Sequence, residues 1–114
     1  MGTSRGTNAT IELAQFLSDK IDGEIHTSSL SNIAFFDSSK FKNRHLLVHH
    51  RHNDGKATPF TAAEEANKRF GTELIVMDGG VSEGNSCEAF SFHGYNEIES
   101  ETVNAIKQWI KRPK

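Results

Sequence analysis

The sequence predicts an α/β protein built on a three-stranded parallel sheet flanked by helices. Two apolar runs carry the prediction, residues 46–50 (LLVHH) and residues 72–78 (TELIVMD). Short apolar runs that end in a polar turn are typical of strands buried on both faces of a sheet. Helical and extended segments also alternate along the chain, which is typical of parallel strands joined by right-handed crossovers.

The first helix is predicted over residues 7–21, with Thr7 or Asn8 as its N-terminal cap. Apolar residues recur at helical spacing and predict its buried face: Leu13, Phe16, Leu17 and Ile21. Residues 24–29 (EIHTSS) predict the first strand, in which His26 is expected to be a packed or edge histidine rather than a metal ligand. Residues 30–44 predict a polar loop with a helical turn.

The central strand, residues 46–50, is followed by a helix that runs to Phe70 and ends at Gly71. Thr58 is predicted to cap this helix, with Pro59 at its first position. After the third strand, residues 81–96 form a long loop, which in a small domain is usually functional. The last helix is predicted over residues 98–111 and ends at Pro113. Its inward face is predicted to contain Val103, Ile106, Trp109 and Ile110.

The composition is that of one small domain spanning residues 1–114. Its 13 basic and 15 acidic residues give a net charge of −2, which favours neither nucleic acid nor acidic lipid as a partner. The single cysteine, Cys87, excludes an internal disulfide and fits a reducing compartment. No apolar run is long enough to span a membrane, and the N-terminus has no secretory segment. We therefore expect a cytoplasmic protein.

Residues 2–6 have the pattern G-x-S-x-G, with Ser4 at its centre. In a nucleophile elbow the two glycines allow a sharp strand-to-helix turn that exposes the serine hydroxyl. A flexible chain start is the alternative interpretation, because the pattern is short and no strand is predicted before it. The helix predicted directly after Gly6 favours the elbow.

The central strand and the turn after it are rich in histidine: His45, His49, His50 and His52. A metal site needs three or four ligands that converge. Alternation along the strand directs His49 to one face and His50 and His52 to the other. We therefore predict no metal site and no cofactor, and expect these histidines to line a cleft.

Three residue types needed for acyl transfer occur in three separate turns: Ser4, Asp54 and His93. In such a triad the serine attacks, the histidine takes its proton, and the carboxylate orients and stabilises the imidazole. The carboxyl ends of parallel strands meet at one edge of a sheet, where α/β proteins place their sites. The order Ser, Asp, His is that of α/β-hydrolases.

The chain resembles the C-terminal half of an α/β-hydrolase of the dienelactone-hydrolase-like kind. The stretches that carry the resemblance are GTSRGT, DGEIHTSS, LLVHHRHNDGKATPF, ELIVMDGG and CEAFSFHGYNEIESETVNAIKQWI. The resemblance implies that Ser4 is the nucleophile, Asp54 the acid and His93 the base. It also implies that the backbone amide of Arg5 supplies half of an oxyanion hole, and that the substrate is a small ester or acyl compound.

The sequence departs from this family in three ways. The strands that precede the elbow in the family are absent, so we expect a truncated form of the fold. If the family's spacing from the paired histidines to the Thr-Pro pair is kept, Asn53 rather than Asp54 takes the acid position. Family members often have a cysteine near Gly55 that could pair with the one corresponding to Cys87, and here that partner is missing.

Two functions follow as alternatives. The first is a serine hydrolase, supported by the order of the triad residues. The second is an inactive half-domain that forms oligomers or binds a partner, because strand 24–29 would be an open edge that invites pairing. We expect a homodimer in which two such strands pair antiparallel and form a six-stranded sheet. Zinc binding by the histidines is a third hypothesis, which metal analysis would test.

Overall fold

The structure, a computed structural model, describes residues 1–112. It contains a four-stranded parallel sheet with the strand order β1-β2-β3-β4. The strands are β1 (Gly2–Thr3), β2 (Gly23–Thr27), β3 (Arg44–His50) and β4 (Glu73–Met77). The helices are α1 (Gly6–Leu17), α2 (Phe60–Phe70) and α3 (Glu99–Lys111). The predicted α/β class, with a parallel sheet and flanking helices, is confirmed; Pro113, the predicted end of the last helix, lies outside the described residues.

The predicted number of strands was wrong, because β1 adds a fourth. This strand has only two residues, which is too short for a hydrophobic pattern to predict it. It pairs in parallel with the second half of β2, with Gly2 opposite His26 and Thr3 opposite Thr27. The strand predicted over residues 24–29 is therefore not an open edge along its whole length.

Two apolar cores cover the two faces of the sheet. Between the sheet and α3, the buried residues are Ile25, Leu46, Val48, Tyr95 and Trp109. On the face covered by α1 and α2, they are Ile33, Leu47, Ala62, Ala63 and Ala66. Alternate residues of β3 contribute to opposite cores, as expected for a central strand of a parallel sheet.

The predicted buried face of α1 was also wrong. Its buried side chains are small or polar, namely Thr7, Thr10 and Ala14. Phe16 is 74% exposed and Leu13 is 45% exposed. The strand beneath this helix presents polar side chains, Glu24 and His26, so α1 turns its polar face inward. An apolar stripe of α1 is left on the surface.

The other two helices agree with their predictions more closely. Gly71 ends α2 in the left-handed conformation, with φ of +71°. The helix begins at Phe60, and Pro59 rather than Thr58 is its N-terminal cap residue. In α3, Trp109 is buried, whereas Val103 and Ile110 are exposed. No helix in residues 1–112 has the length and apolar content needed to cross a bilayer.

Candidate functional site

Ser4 lies in the tight turn that joins β1 to α1. Its φ is +55°, in the left-handed region that residues other than glycine rarely adopt. The Ser4 N–H donates to the Thr27 carbonyl at 3.0 Å, and the Ser4 carbonyl accepts from the N–H and the hydroxyl of Thr7 at 3.0 and 2.6 Å. The G-x-S-x-G pattern therefore occupies a strained turn between a strand and a helix, the backbone setting of a nucleophile elbow.

The two glycines of the motif have different steric roles. A Cβ atom on Gly2 would lie 2.8 Å from both the Gly6 carbonyl carbon and Thr10 Cγ2, closer than packed carbon atoms approach. A Cβ atom on Gly6 would have no neighbour within 4 Å. The close approach of β1 to α1 thus requires glycine at position 2 and not at position 6.

Arg5 directly follows Ser4, and its side chain is exposed. Its backbone N–H donates to no backbone carbonyl within residues 1–112. It lies next to the first residue of α1, where unpaired amides and the helix dipole favour negative charge. This position is compatible with the predicted contribution to an oxyanion hole.

His93 lies in a short 3-10 turn, Phe92–Gly94, and is 8% exposed. Its Nδ1 atom is 3.0 Å from Thr58 Oγ1 and 3.4 Å from Asn53 Nδ2. Burial lowers the pKa of His93. The imidazole is therefore neutral near pH 7, as a general base has to be.

The structure places Asn53, not Asp54, against His93. Asn53 is 3% exposed, and its Oδ1 accepts from the Gly55 N–H at 3.2 Å. Asp54 is exposed and lines an open surface cleft with Arg51 and His52. The turn's own hydrogen bonds explain this outcome, because an Asn side chain that accepts from the amide two residues later is held inward. The prediction of Asp54 as the acid is therefore not supported by the geometry.

Two side chains that the sequence analysis did not single out hold the His93 turn against the sheet. Ser28 Oγ donates to the His93 carbonyl at 2.7 Å. The Tyr95 hydroxyl donates to the Val48 carbonyl at 2.8 Å and accepts from the Ser28 N–H at 3.2 Å. Burial raises the pKa of Tyr95 to about 12, so this anchor stays protonated. In the sequence, the only sign that Tyr95 anchors this turn is its position two residues after His93.

Ser4 and His93 reach the same edge of the sheet without a hydrogen bond between them. The Ser4 N–H is hydrogen-bonded to Thr27, the last residue of β2, and the His93 carbonyl is hydrogen-bonded to Ser28, the next residue. A shallow groove is lined by Thr3, Thr27 and His93 at this edge. Within residues 1–112, no hydrogen bond joins the Ser4 hydroxyl to His93. The structure thus brings Ser4 and His93 to one edge of the sheet, whereas Asp54 is exposed and does not contact His93 Nδ1.

A second polar cluster lies buried beneath α1, on the face of β2 and β3 that this helix covers. His26 Nε2 is 3.0 Å from His45 Nδ1, and His26 Nδ1 is 2.7 Å from Thr10 Oγ1. His45 Nε2 is 3.1 Å from Asn43 Oδ1 and 3.7 Å from Glu24 Oε2. Glu24 is only 4% exposed, and its Oε2 atom has no hydrogen-bond partner in the described chain. Sequence reasoning missed this cluster because its members come from two strands.

The charge states of this cluster follow from its burial. Burial lowers the pKa of His26 to about 3 and that of His45 to about 4. Burial also raises the pKa of Glu24. Near pH 7 both imidazoles are therefore neutral.

Comparison of the chain with protein-family models, with curated proteins and with solved structures gives no match.

Proposed function

We propose that this chain is an α/β-hydrolase-like module of the dienelactone-hydrolase-like kind that carries a slow acyl-transfer site for small esters or acyl compounds. The observation that carries the proposal is the conformation of Ser4. Ser4 has a positive φ between a strand that requires glycine and a helix N-terminus, and backbone strain of this kind clusters at functional sites. The wider resemblance in sequence supports the same proposal. The single free cysteine, Cys87, supports a cytoplasmic location.

In the proposed reaction the Ser4 hydroxyl attacks the substrate carbonyl, and His93 Nε2 takes its proton. The ester C–O bond then breaks, the alcohol leaves with that proton, and water hydrolyses the acyl group from Ser4. The Arg5 amide stabilises the oxyanion that forms. Thr58 and Asn53 orient the imidazole from its Nδ1 side, but neither carries a negative charge. An amide donor at this place favours the tautomer with the proton on Nε2, which is the wrong one for a base. In serine proteases the change of the triad aspartate to asparagine lowers kcat by about 10⁴-fold, so we expect a slow site.

Reaction with a fluorophosphonate probe tests this proposal. We expect slow labelling at Ser4, located by peptide mass spectrometry and abolished in Ser4→Ala. Ser86→Ala, which changes a serine in the outer loop, is the matched control and should leave the labelling unchanged. Absence of labelling at Ser4 in the wild-type chain, even after long incubation at high probe concentration, would contradict the proposal.

We propose as a second function that the chain forms a homodimer through the β1–β2 edge. Two observations favour a second copy as the partner. The first half of β2, including Glu24 and Ile25, has no partner in β1, so part of an edge is open to pairing. The adjacent helix exposes Leu13 and Phe16, which a second copy related by a twofold axis would cover. Two four-stranded sheets would then form one continuous sheet.

The dimer is tested by molar mass in solution. Light scattering after size-exclusion chromatography should give twice the chain mass at micromolar concentration. Phe16→Glu should give the monomer mass, whereas Phe35→Glu, a change at an equally exposed phenylalanine outside the edge, should leave the dimer intact. A monomer mass for the unchanged chain would refute this function and leave the acyl-transfer proposal standing.

A further inference from the structure

The buried cluster of Glu24, His26 and His45 has the composition of a transition-metal site. Two imidazoles and one carboxylate are a common ligand set for zinc. One ligand atom from each residue lies within 4.8 Å of the other two. All three residues are buried. We propose that these residues bind one Zn²⁺ ion between the sheet and α1.

The spacing of the ligand atoms is close to what zinc requires. Ligand atoms around tetrahedral zinc, bound at about 2.1 Å, lie roughly 3.4 Å apart. The 3.0 Å between His26 Nε2 and His45 Nδ1 needs to open by only a few tenths of an ångström. One ligand atom from each of the three residues lies within 4.8 Å of the other two, so the set has to contract by about 1.4 Å at most to reach tetrahedral spacing.

The unpartnered oxygen of Glu24 is the observation that points to a ligand. A buried carboxylate oxygen without a hydrogen bond is costly, and Oε2 is in that state within the described chain. It lies 3.7 Å from His45 Nε2, too far for a hydrogen bond. A cation coordinated by this oxygen and the two imidazoles removes that cost.

The neighbours of the two histidines complete the site as outer hydrogen-bond partners. The Thr10 hydroxyl is 2.9 Å from the Thr7 carbonyl, and when it donates there it accepts the Nδ1–H of His26. Asn43 Oδ1 accepts the Nε2–H of His45. With the protons held on these outer nitrogens, the lone pairs of His26 Nε2 and His45 Nδ1 face each other. Such partners fix the tautomer of ligating histidines in metal sites.

Titration of ZnCl₂ into chelator-treated protein tests the inference. Calorimetry should show one Zn²⁺ bound per chain, and Co²⁺ in its place should give the visible absorption bands of a protein-bound, four-coordinate ion. Glu24→Gln and His45→Gln should weaken Zn²⁺ binding by at least about 10-fold. Glu12→Gln and His52→Gln, which change an exposed carboxylate and an exposed imidazole, are the matched controls and should bind as the unchanged chain does.

Two results would overturn the inference: no stoichiometric Zn²⁺ binding by the unchanged chain, or equal affinity in Glu24→Gln and His45→Gln. If these variants do not fold, nitrogen-detected NMR of the histidine rings in the unchanged chain decides. Zn²⁺ should shift the ring signals of His26 and His45 and leave those of His49 and His93 in place. Shifts confined to His50 and His52 would place any bound zinc elsewhere and refute the site.

Discussion

Thr58 Oγ1 lies 3.0 Å from His93 Nδ1, at the nitrogen that a carboxylate contacts in a serine-hydrolase triad. The same residue accepts a hydrogen bond at its carbonyl from His49 Nε2, at 2.8 Å. Thr58 therefore links two buried histidines across the end of β3. Within residues 1–112, Asn53 is the only other side chain hydrogen-bonded to His93 Nδ1, so no carboxylate accompanies this imidazole as one does in such a triad.

Restoring the charge should activate the site. We predict that Asn53→Asp labels with a fluorophosphonate at Ser4 at least about 10-fold faster than the unchanged chain, since a triad carboxylate is worth about 10⁴-fold in kcat. The carboxylate should also raise the pKa of His93, because a nearby negative charge favours the imidazolium. The labelling rate against pH and an NMR titration of His93 measure the two effects.

Asp54→Asn is the matched control for this prediction, because Asp54 is exposed and, in the part of the chain that the structure describes, makes no hydrogen bond to His93. Its labelling rate should equal that of the unchanged chain. If Asp54→Asn instead slowed labelling and Asn53→Asp did not accelerate it, the turn would have the register first predicted from the sequence. The assignment of Asn53 to the acid position would then be wrong.

A disulfide should form when a cysteine replaces Gly55. A Cβ atom built on Gly55 lies 3.1 Å from Cys87 Sγ, close to the roughly 3.0 Å between a Cβ atom and the far sulfur of a disulfide. We predict that oxidised Gly55→Cys loses both free thiols and is more stable than its reduced form by about 3 to 4 kcal/mol, the value for a loop of this length. Thiol counting and urea unfolding with and without reductant measure this.

Gly55→Ser separates the cross-link from simple crowding. A side chain here also lies 3.1 Å from Thr58 Oγ1 and 3.3 Å from Asn53 Oδ1, so some strain is expected in both variants. The serine variant should show no response to oxidant. Two free thiols in oxidised Gly55→Cys would show that the loop carrying Cys87 lies away from the turn, and would weaken the resemblance to the hydrolase family.

Buried histidines should make the fold sensitive to mild acid. Burial lowers the pKa of His49 from 6.5 to about 4. Between these values the unfolded chain binds a proton that the folded chain does not, so the free energy of unfolding falls as the pH falls. The slope for one such group is at most about 1.4 kcal/mol per pH unit. His26, His45 and His93 act in the same direction, and the raised pKa of Glu24 opposes them.

Urea unfolding in the presence of a chelator, at pH 7, 6 and 5, measures this dependence. We predict a steady loss of stability on acidification. The loss should be smaller in His49→Gln, because glutamine at position 49 does not bind a proton in this pH range. His52→Gln, at an exposed position, should keep the full slope. Stability that does not change from pH 7 to 5 would contradict the prediction, because the folded chain would then take up as many protons as the unfolded chain over this range.

The sheet and helices were predictable where a segment is long enough to show a period. Residues 46–50 and 72–78 are apolar because helices cover both faces of the sheet, and Gly71 ended a helix as glycine usually does. The two-residue strand Gly2–Thr3 gave no such signal. It exists because its backbone pairs with β2, a contact between distant residues that no local pattern encodes.

The sequence predicted which edge of the sheet carries the candidate site, but not which residue lies beside His93. Ser4 and His93 follow from motif and order. The choice between Asn53 and Asp54 depends on one hydrogen bond in the turn, from the Gly55 N–H to Asn53 Oδ1. A sequence pattern does not show which of two neighbouring turn residues points its side chain inward. The face of α1 was misjudged for a related reason: what a helix buries depends on the strand beneath it, and β2 presents His26 to Thr10.

The two glycines around Ser4 should respond differently to the same substitution. Gly2→Ala places a methyl group 2.8 Å from Thr10 Cγ2 and the Gly6 carbonyl carbon, so β1 has to move away from α1. We predict a loss of about 1 to 3 kcal/mol in the free energy of unfolding, as for other overpacked positions. Fluorophosphonate labelling of Ser4 should fall with it, because the turn loses its anchored strand.

Gly6→Ala is the matched substitution, since a Cβ atom there meets nothing within 4 Å and lies at the first residue of α1. Alanine is favoured over glycine in helices by up to about 1 kcal/mol, so this variant should be as stable as the unchanged chain or slightly more stable. Its labelling at Ser4 should persist. If both variants unfolded at the same urea concentration as the unchanged chain, β1 would not be packed against α1, and Ser4 would have no reason to hold its positive φ.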